Sequence, residues 1–244
     1  MGDVMLALAR TLANLKQGRV WGYVLVPAVV ALLLAVGLAV WALGWFVQQI
    51  MAYPPMTLLV AWGLVWMAHI LAYLGGWMAI FAIAYLAASL LAAIVIMPLM
   101  VKHLAETEYR DVSAMGKDSF VAAAVNSIAA SVLFVIAWVA TIPLWLIPGF
   151  SLFVPLLLMG WLNRRTFAYD ALSLHATADE WTALRNGNKA EFFMLGLTMA
   201  LLVHVPFVGL LVPALAALSF VHFGLEALRR SRGGAVVTLQ GGKP

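Results

Sequence analysis

The feature that most constrains this chain is the distribution of its charged residues. Asp, Glu, Lys and Arg are absent from three stretches, residues 20–101, 119–163 and 192–225, which are 82, 45 and 34 residues long. A helix that spans a bilayer needs about 20 apolar residues. Hydrophobic residues make up 65% of the chain and charged residues only 10%, too few to cover a water-facing surface. The pattern predicts an integral membrane protein and excludes a soluble fold.

The spanning elements are predicted to be α-helices, because the apolar stretches lack the alternation of a transmembrane barrel strand. Residues 1–19 are predicted to form an amphipathic interfacial helix. Its apolar face would consist of Val4, Met5, Leu8, Leu12 and Leu15. Residues 20–230 are expected to form a single membrane domain, and the polar, Gly-rich residues 231–244 a disordered tail.

The first uncharged stretch is long enough for more than one helix. A first span is predicted from about Trp21 to Gln48, with a turn at Pro54-Pro55. One helix over Met56–Met100 would be ~67 Å long, which exceeds the bilayer. Either this helix projects beyond the membrane or Gly75-Gly76 breaks it. The projecting helix is favoured, because all four polar segments can then lie on the cytoplasmic side.

The other two uncharged stretches each contain a pair of prolines separated by six residues. Proline ends the helix before it and can begin the helix after it, so each stretch is predicted to be a helical hairpin. The predicted tip residues are Pro148, Gly149, Pro155, Pro206 and Pro213. The arm from residue 192 to residue 204 is only ~20 Å long. At least this hairpin is therefore predicted to be re-entrant, the alternative being a pair of ordinary spans.

Titratable side chains near or within the membrane are candidates for function. His204 lies two residues before Pro206 and could couple transport to protons. The alternative, a neutral histidine bonded to a backbone carbonyl, is favoured for His204, His69 and His222. Glu106 and Arg110 are four residues apart on a predicted helix, in the order that suits an ion pair. This pair is either structural or lines an entrance or interface.

Other classes of function lack support in the sequence. There is no Gly-rich phosphate loop, no His-Glu-x-x-His motif and no nucleophile elbow, so no enzyme, cofactor or metal site is predicted. The net charge is only +4, with no basic stripe for a nucleic acid. Lys and Arg lie at the expected membrane edges, where Arg164 and Arg165 are interpreted as cytoplasmic anchors.

An ordered set of short motifs runs from Trp21 to Arg230. It comprises Leu104-Ala105-Glu106, Ile147-Pro148-Gly149, Tyr169-Asp170, Val205-Pro206 and Arg229-Arg230. The set resembles the CysZ sulfate permeases and the wider etoposide-induced transmembrane-protein superfamily. The resemblance implies an all-α bacterial inner-membrane protein with two long transmembrane helices and two partially penetrating hairpins. It further implies a homo-oligomeric transport domain that passes sulfate into the cell for cysteine biosynthesis.

The resemblance also implies an anion site where the first long helix begins. Family members carry Gly-apolar-Arg-Arg there, and the arginine pair is proposed to bind sulfate. This chain has Gly18-Arg19-Val20 instead, so it has one of the two arginines, with Lys16 one helical turn earlier. Arg19, Lys16 and Gly18 are therefore the candidate substrate-binding residues. A transporter of another small anion and a non-transporting membrane scaffold are the alternative functions.

Overall fold

The computed structural model describes residues 2–116, 120–147, 149–205 and 208–233, and regular structure within them is entirely helical. The α-helices are α1 Gly2–Asn14, α2 Gly18–Met51, α3 Met56–Ala61, α4 Val65–Leu91, α5 Met97–Thr107, α6 Phe120–Ala140, α7 Phe150–Leu172, α8 Ala178–Gly187, α9 Lys189–Leu202 and α10 Val208–Ser231. The predicted all-α membrane class is confirmed, since four of the described helices are long and apolar enough to cross a bilayer.

Helix α1 buries one side within the protein, and of the predicted apolar face only Val4 is fully buried there. Val4, Ala7, Thr11 and Asn14 are buried against α10, whereas Met5 is exposed, as is Leu12. The buried positions follow a spacing of three and four residues, which places them on one side of a helix. Small and polar side chains form this side because it packs closely on a protein helix. Leu8 and Leu15 are partly buried against the same core, whereas Met5 and Leu12 face outward.

The two longest helices, α2 and α4, pack along each other. Their interface is built from alanines, with Ala31 and Ala35 on α2 facing Ala84 and Ala88 on α4. Such small side chains let two helix backbones approach closely in a membrane. Large apolar side chains cover the outer surface of the pair, and Trp41 is 86% exposed. This outer surface suits contact with lipid.

The long helix is continuous, as the favoured alternative requires, although it begins later than predicted; its projection beyond the membrane stays a prediction. A short α3 ends before Gly63, whose φ of 77° is a left-handed conformation that terminates helices. Helical structure then continues from Val65 to Thr107 without a break at Gly75-Gly76. A turn of π-helix at Ala92–Ile96 precedes Pro98. This wider turn accommodates the missing proline N–H group.

The first hairpin joins α6 to α7 through a 3₁₀ turn at Ile142–Leu146, and Gly149, with a φ of 88°, precedes α7. Pro155 and Pro213 were predicted at the tips but lie inside α7 and α10, each as the sixth residue of its helix. The turns are tighter than the proline spacing suggests, because each second arm begins before its proline. Pro148 and Pro206 lie outside the described residues.

The second hairpin joins α9 to α10. A Cβ atom at Gly209 would lie 2.3 Å from the carbonyl oxygen of Val203, so this close turn requires glycine. Helix α9 has 14 residues, about 21 Å of helix, and re-entrance of this hairpin stays a prediction. Helix α10 lies at the centre of the protein and packs against α1, α2, α5, α7 and α9. The predicted tail lies mostly outside the described residues, which end at Gly233.

Candidate functional site

The candidate anion site lies where α1 gives way to α2. Helix α2 begins at Gly18, and the preceding Gln17 provides no side-chain cap. Backbone N–H groups in this first turn therefore have no side-chain acceptor. Arg19 lies in the same turn and is exposed, as is Lys16. Neither cation forms an ion pair with a described residue.

The turn that leads into this site is held in place by hydrogen bonds. The indole Nε1 of Trp21 donates to the carbonyl oxygen of Leu15 at 2.8 Å. Gln17 donates through Nε2 to Oδ1 of Asn14 at 3.3 Å. Asn14 is buried and contacts His222 of α10. The start of α2 is thereby fixed relative to the central helix, which presents Arg19 to solvent in a defined position.

The ion pair expected between Glu106 and Arg110 does not form in the described structure. Arg110 instead donates from Nε to the main-chain carbonyl oxygen of Glu106. Helix α5 ends at Thr107, so Arg110 lies beyond its last turn and the spacing of four residues no longer places the two side chains together. Both side chains are exposed.

His69 and His204 each form a hydrogen bond to a backbone carbonyl, the bond expected of the structural alternative. Nδ1 of His69 donates to the carbonyl oxygen of Val65 at 2.9 Å, and Nδ1 of His204 donates to that of Ala200 at 3.0 Å. Each bond joins residues four apart within a helix. His204 also lines an apolar cavity of about 500 Å³ between the second hairpin and the α2–α4 pair. A role for His204 in proton coupling stays a prediction.

A buried polar network that no sequence pattern indicated surrounds His222, a residue expected to bond to a backbone carbonyl. Asn14 lies 2.9 Å from Nε2 of His222, and the Tyr109 hydroxyl lies 3.0 Å from Nδ1. The same hydroxyl accepts from Arg10 at 2.9 Å and donates to the carbonyl oxygen of His222 at 3.3 Å. A neutral ring with its proton on Nδ1 satisfies all four contacts. Burial raises the pKa of Tyr109 to about 12, so the hydroxyl retains its proton at neutral pH.

The arginines around the end of α10 are neutralised by carboxylates. Arg10 lies 2.6 Å from Glu226, and Arg229 lies 2.5 Å from Asp111. Arg230 pairs with Asp3 and Arg232 with Glu180, and within α10 Glu226 also pairs with Arg229 and Arg230. The pairs between different segments join α10 to α1, to the loop after α5 and to α8. The Arg229-Arg230 motif therefore serves to hold helices together, and no sequence signal linked it to acids more than 100 residues away.

The comparisons with known proteins gave one match. A search of curated proteins and a search of solved structures found no match. The family model described as "Sulfate transporter CysZ/Etoposide-induced protein 2.4" matches residues 7–213, which include the α1–α2 junction and both hairpin turns. This range covers most of the 244 residues, and the long helices and helical hairpins described above lie largely within it. The chain therefore belongs to the CysZ and etoposide-induced protein 2.4 family of membrane transport proteins.

Proposed function

We propose that this protein carries sulfate across the bacterial inner membrane to supply cysteine biosynthesis, and that it does so as a homo-oligomer. The observation that carries the proposal is the exposed, unpaired Arg19 in an uncapped first turn of α2. A dianion placed there would meet a guanidinium group, free backbone N–H groups and the positive end of the helix dipole. Membership of a family described by its sulfate transporter supports sulfate as the ion.

The neighbouring residues fit the same role. Gly18 leaves the start of α2 open, because a Cβ atom there would meet nothing within 4 Å. Lys16, one helical turn before Arg19, adds a second exposed cation, whereas family members carry two adjacent arginines after the glycine. A lysine is a point charge without the two-pronged geometry of an arginine. We therefore expect weaker discrimination between sulfate and other anions than an arginine pair would give.

Uptake of labelled sulfate into proteoliposomes tests the proposal. Uptake should exceed that of empty vesicles, and R19Q should raise the half-saturating sulfate concentration by about tenfold or more, the effect expected for losing a charged hydrogen bond. Lys102 is an exposed cation elsewhere on the surface, so K102Q is the charge-matched control and should transport normally. Absence of flux in the unmodified protein would favour the scaffold alternative, and equal flux of other small anions would contradict sulfate as the specific substrate.

A further inference from the structure

A second group of cations lines a surface cavity of about 400 Å³ where α7, α8 and α9 meet near the start of α6. Four basic residues contribute to its wall: Arg164, Arg165, Arg185 and Lys189. The volume lies within the range of small-molecule binding sites. The first two of these residues were interpreted from the sequence as membrane anchors, but the fold brings all four to one cavity.

The cations of this cavity have no internal counter-charge. Its wall, as far as the structure describes it, includes no aspartate or glutamate. None of the four forms an ion pair with a described residue, whereas the arginines beside α10 all do. Like charges that converge repel one another, and a bound anion relieves that repulsion. The difference between the two clusters indicates that this one is balanced from outside the chain.

The remaining wall is suited to a fixed polar ligand at a membrane edge. Trp181 and Tyr169 pack edge to face with their ring centres 5.6 Å apart. Aromatic residues of this kind are enriched at the level of lipid headgroups. The side-chain amide of Asn126 on α6 donates to the carbonyl oxygen of Arg165 at 3.1 Å, which holds the backbone of α7 in place at the cavity.

We propose that this cavity binds a tetrahedral oxyanion, either free sulfate or phosphate or the phosphodiester group of an anionic lipid. Guanidinium groups contact such oxygens in pairs, and basic pockets between transmembrane helices recognise lipid headgroups. The cavity does not include Arg19, so this binding does not depend on the proposed transport of sulfate.

The test uses the full-length chain, delipidated in a neutral detergent, and follows two ligands. Sulfate and phosphate are titrated by calorimetry, and bound phosphatidylglycerol is counted against phosphatidylcholine by native mass spectrometry. R185Q/K189Q removes two exposed charges from the cavity and should lower the affinity for at least one of these ligands by about tenfold or more. Loss of free-anion binding identifies a soluble ligand, and selective loss of phosphatidylglycerol identifies a lipid.

The charge-matched control is K16Q/R19Q, which should keep the binding that R185Q/K189Q loses. Sulfate binding lost in K16Q/R19Q alone belongs to the α2 site, so the two proposals succeed or fail separately. R165Q provides an independent variant should R185Q/K189Q fold poorly. The proposal would be overturned if R185Q/K189Q and R165Q both bound the free anions and phosphatidylglycerol as tightly as the unmodified protein does.

Discussion

Arg10 and Arg19 lie nine residues apart, yet their surroundings are opposite. Arg10 is half-buried and bonded to Glu226 and Tyr109, while Arg19 is exposed and unpaired among the described residues. The polar segment that holds Arg10 gives no indication that this arginine pairs with a carboxylate 216 residues away. Pairing in the folded protein is what separates a structural cation from one available to a ligand.

Tyr109 shows what the paired network contributes. The side chain is 1% exposed, its hydroxyl joins Arg10 to His222, and the guanidinium of Arg229 lies 4.8 Å from its ring centre. Y109F keeps the ring but leaves buried polar partners unsatisfied. We expect it to lower the free energy of unfolding by about 1–3 kcal/mol.

Thermal unfolding of the purified protein measures this effect, and Y73F is the matched control, since Tyr73 is 49% exposed. If the unfolding midpoint temperature of Y109F equalled those of Y73F and the unmodified protein, the Tyr109 hydroxyl would contribute nothing to stability.

The contact between α7 and α9 joins the two hairpins and depends on glycine. A Cβ atom at Gly196 would lie 2.4 Å from the carbonyl oxygen of Gly160, so the two backbones touch there. Beside this contact, Asn163 donates to the carbonyl oxygen of Gly196 at 3.2 Å and accepts from Tyr85 of α4 at 3.1 Å. A close contact and a buried hydrogen bond thus fix the hairpins to each other and to the long helix.

Replacing Gly196 with alanine should separate these two helices. G196A must displace backbone rather than a flexible side chain, so we expect a loss of about 1–3 kcal/mol of stability, as for other overpacked sites. G22A is the control, because Gly22 also lies within a helix but a Cβ atom there meets nothing within 4 Å. Helix propensity alone favours alanine in both. Equal or increased stability in both variants would contradict the close contact.

Across the whole molecule, Arg232 joins three segments that are distant in sequence. Its guanidinium forms two bonds to the carboxylate of Glu180, at 2.8 and 2.9 Å, and donates to the carbonyl oxygens of Ser113 and His175. The Arg232 hydrogen bond, aided by the Thr177 cap, lowers the pKa of Glu180 to about 2. A carboxyl whose folded pKa is depressed stabilises the protein above its unfolded pKa. That stabilisation is lost as the pH falls through the folded value.

E180Q tests this link while keeping a residue that can cap α8, since glutamine also serves in a capping box. The variant should melt at a lower temperature than the unmodified protein at pH 6, and the difference should shrink as the pH falls from about 4.5 towards about 2. D179N removes the charge of the neighbouring exposed acid, and its melting temperature should differ little from that of the unmodified protein. If the difference in melting temperature between E180Q and the unmodified protein stayed constant over this pH range, the charge of the carboxylate would not be the stabilising feature.

The sequence predicts the long apolar elements well and the polar sites poorly, for a physical reason. Long apolar elements follow from the local absence of charge, and the helix from Val65 to Thr107 follows from residues that are consecutive. The His222 network and the cavity beside Arg185 arise from contacts between separate elements. The positions of the turns were also predicted incorrectly, because a proline such as Pro155 fits early in a helix as well as at the tip of a hairpin.

Helix α10 forms the centre of the fold, and 83% of its most apolar segment is buried within the protein, compared with 17% for α6. On the ribosome, every helix that packs against α10 emerges before it does. The membrane-embedded helices among them therefore expose the faces that α10 will cover until α10 itself has been made. This helical core can therefore form only once α10 has been made, and a chain interrupted before residue 208 would leave the faces that α10 covers exposed to lipid.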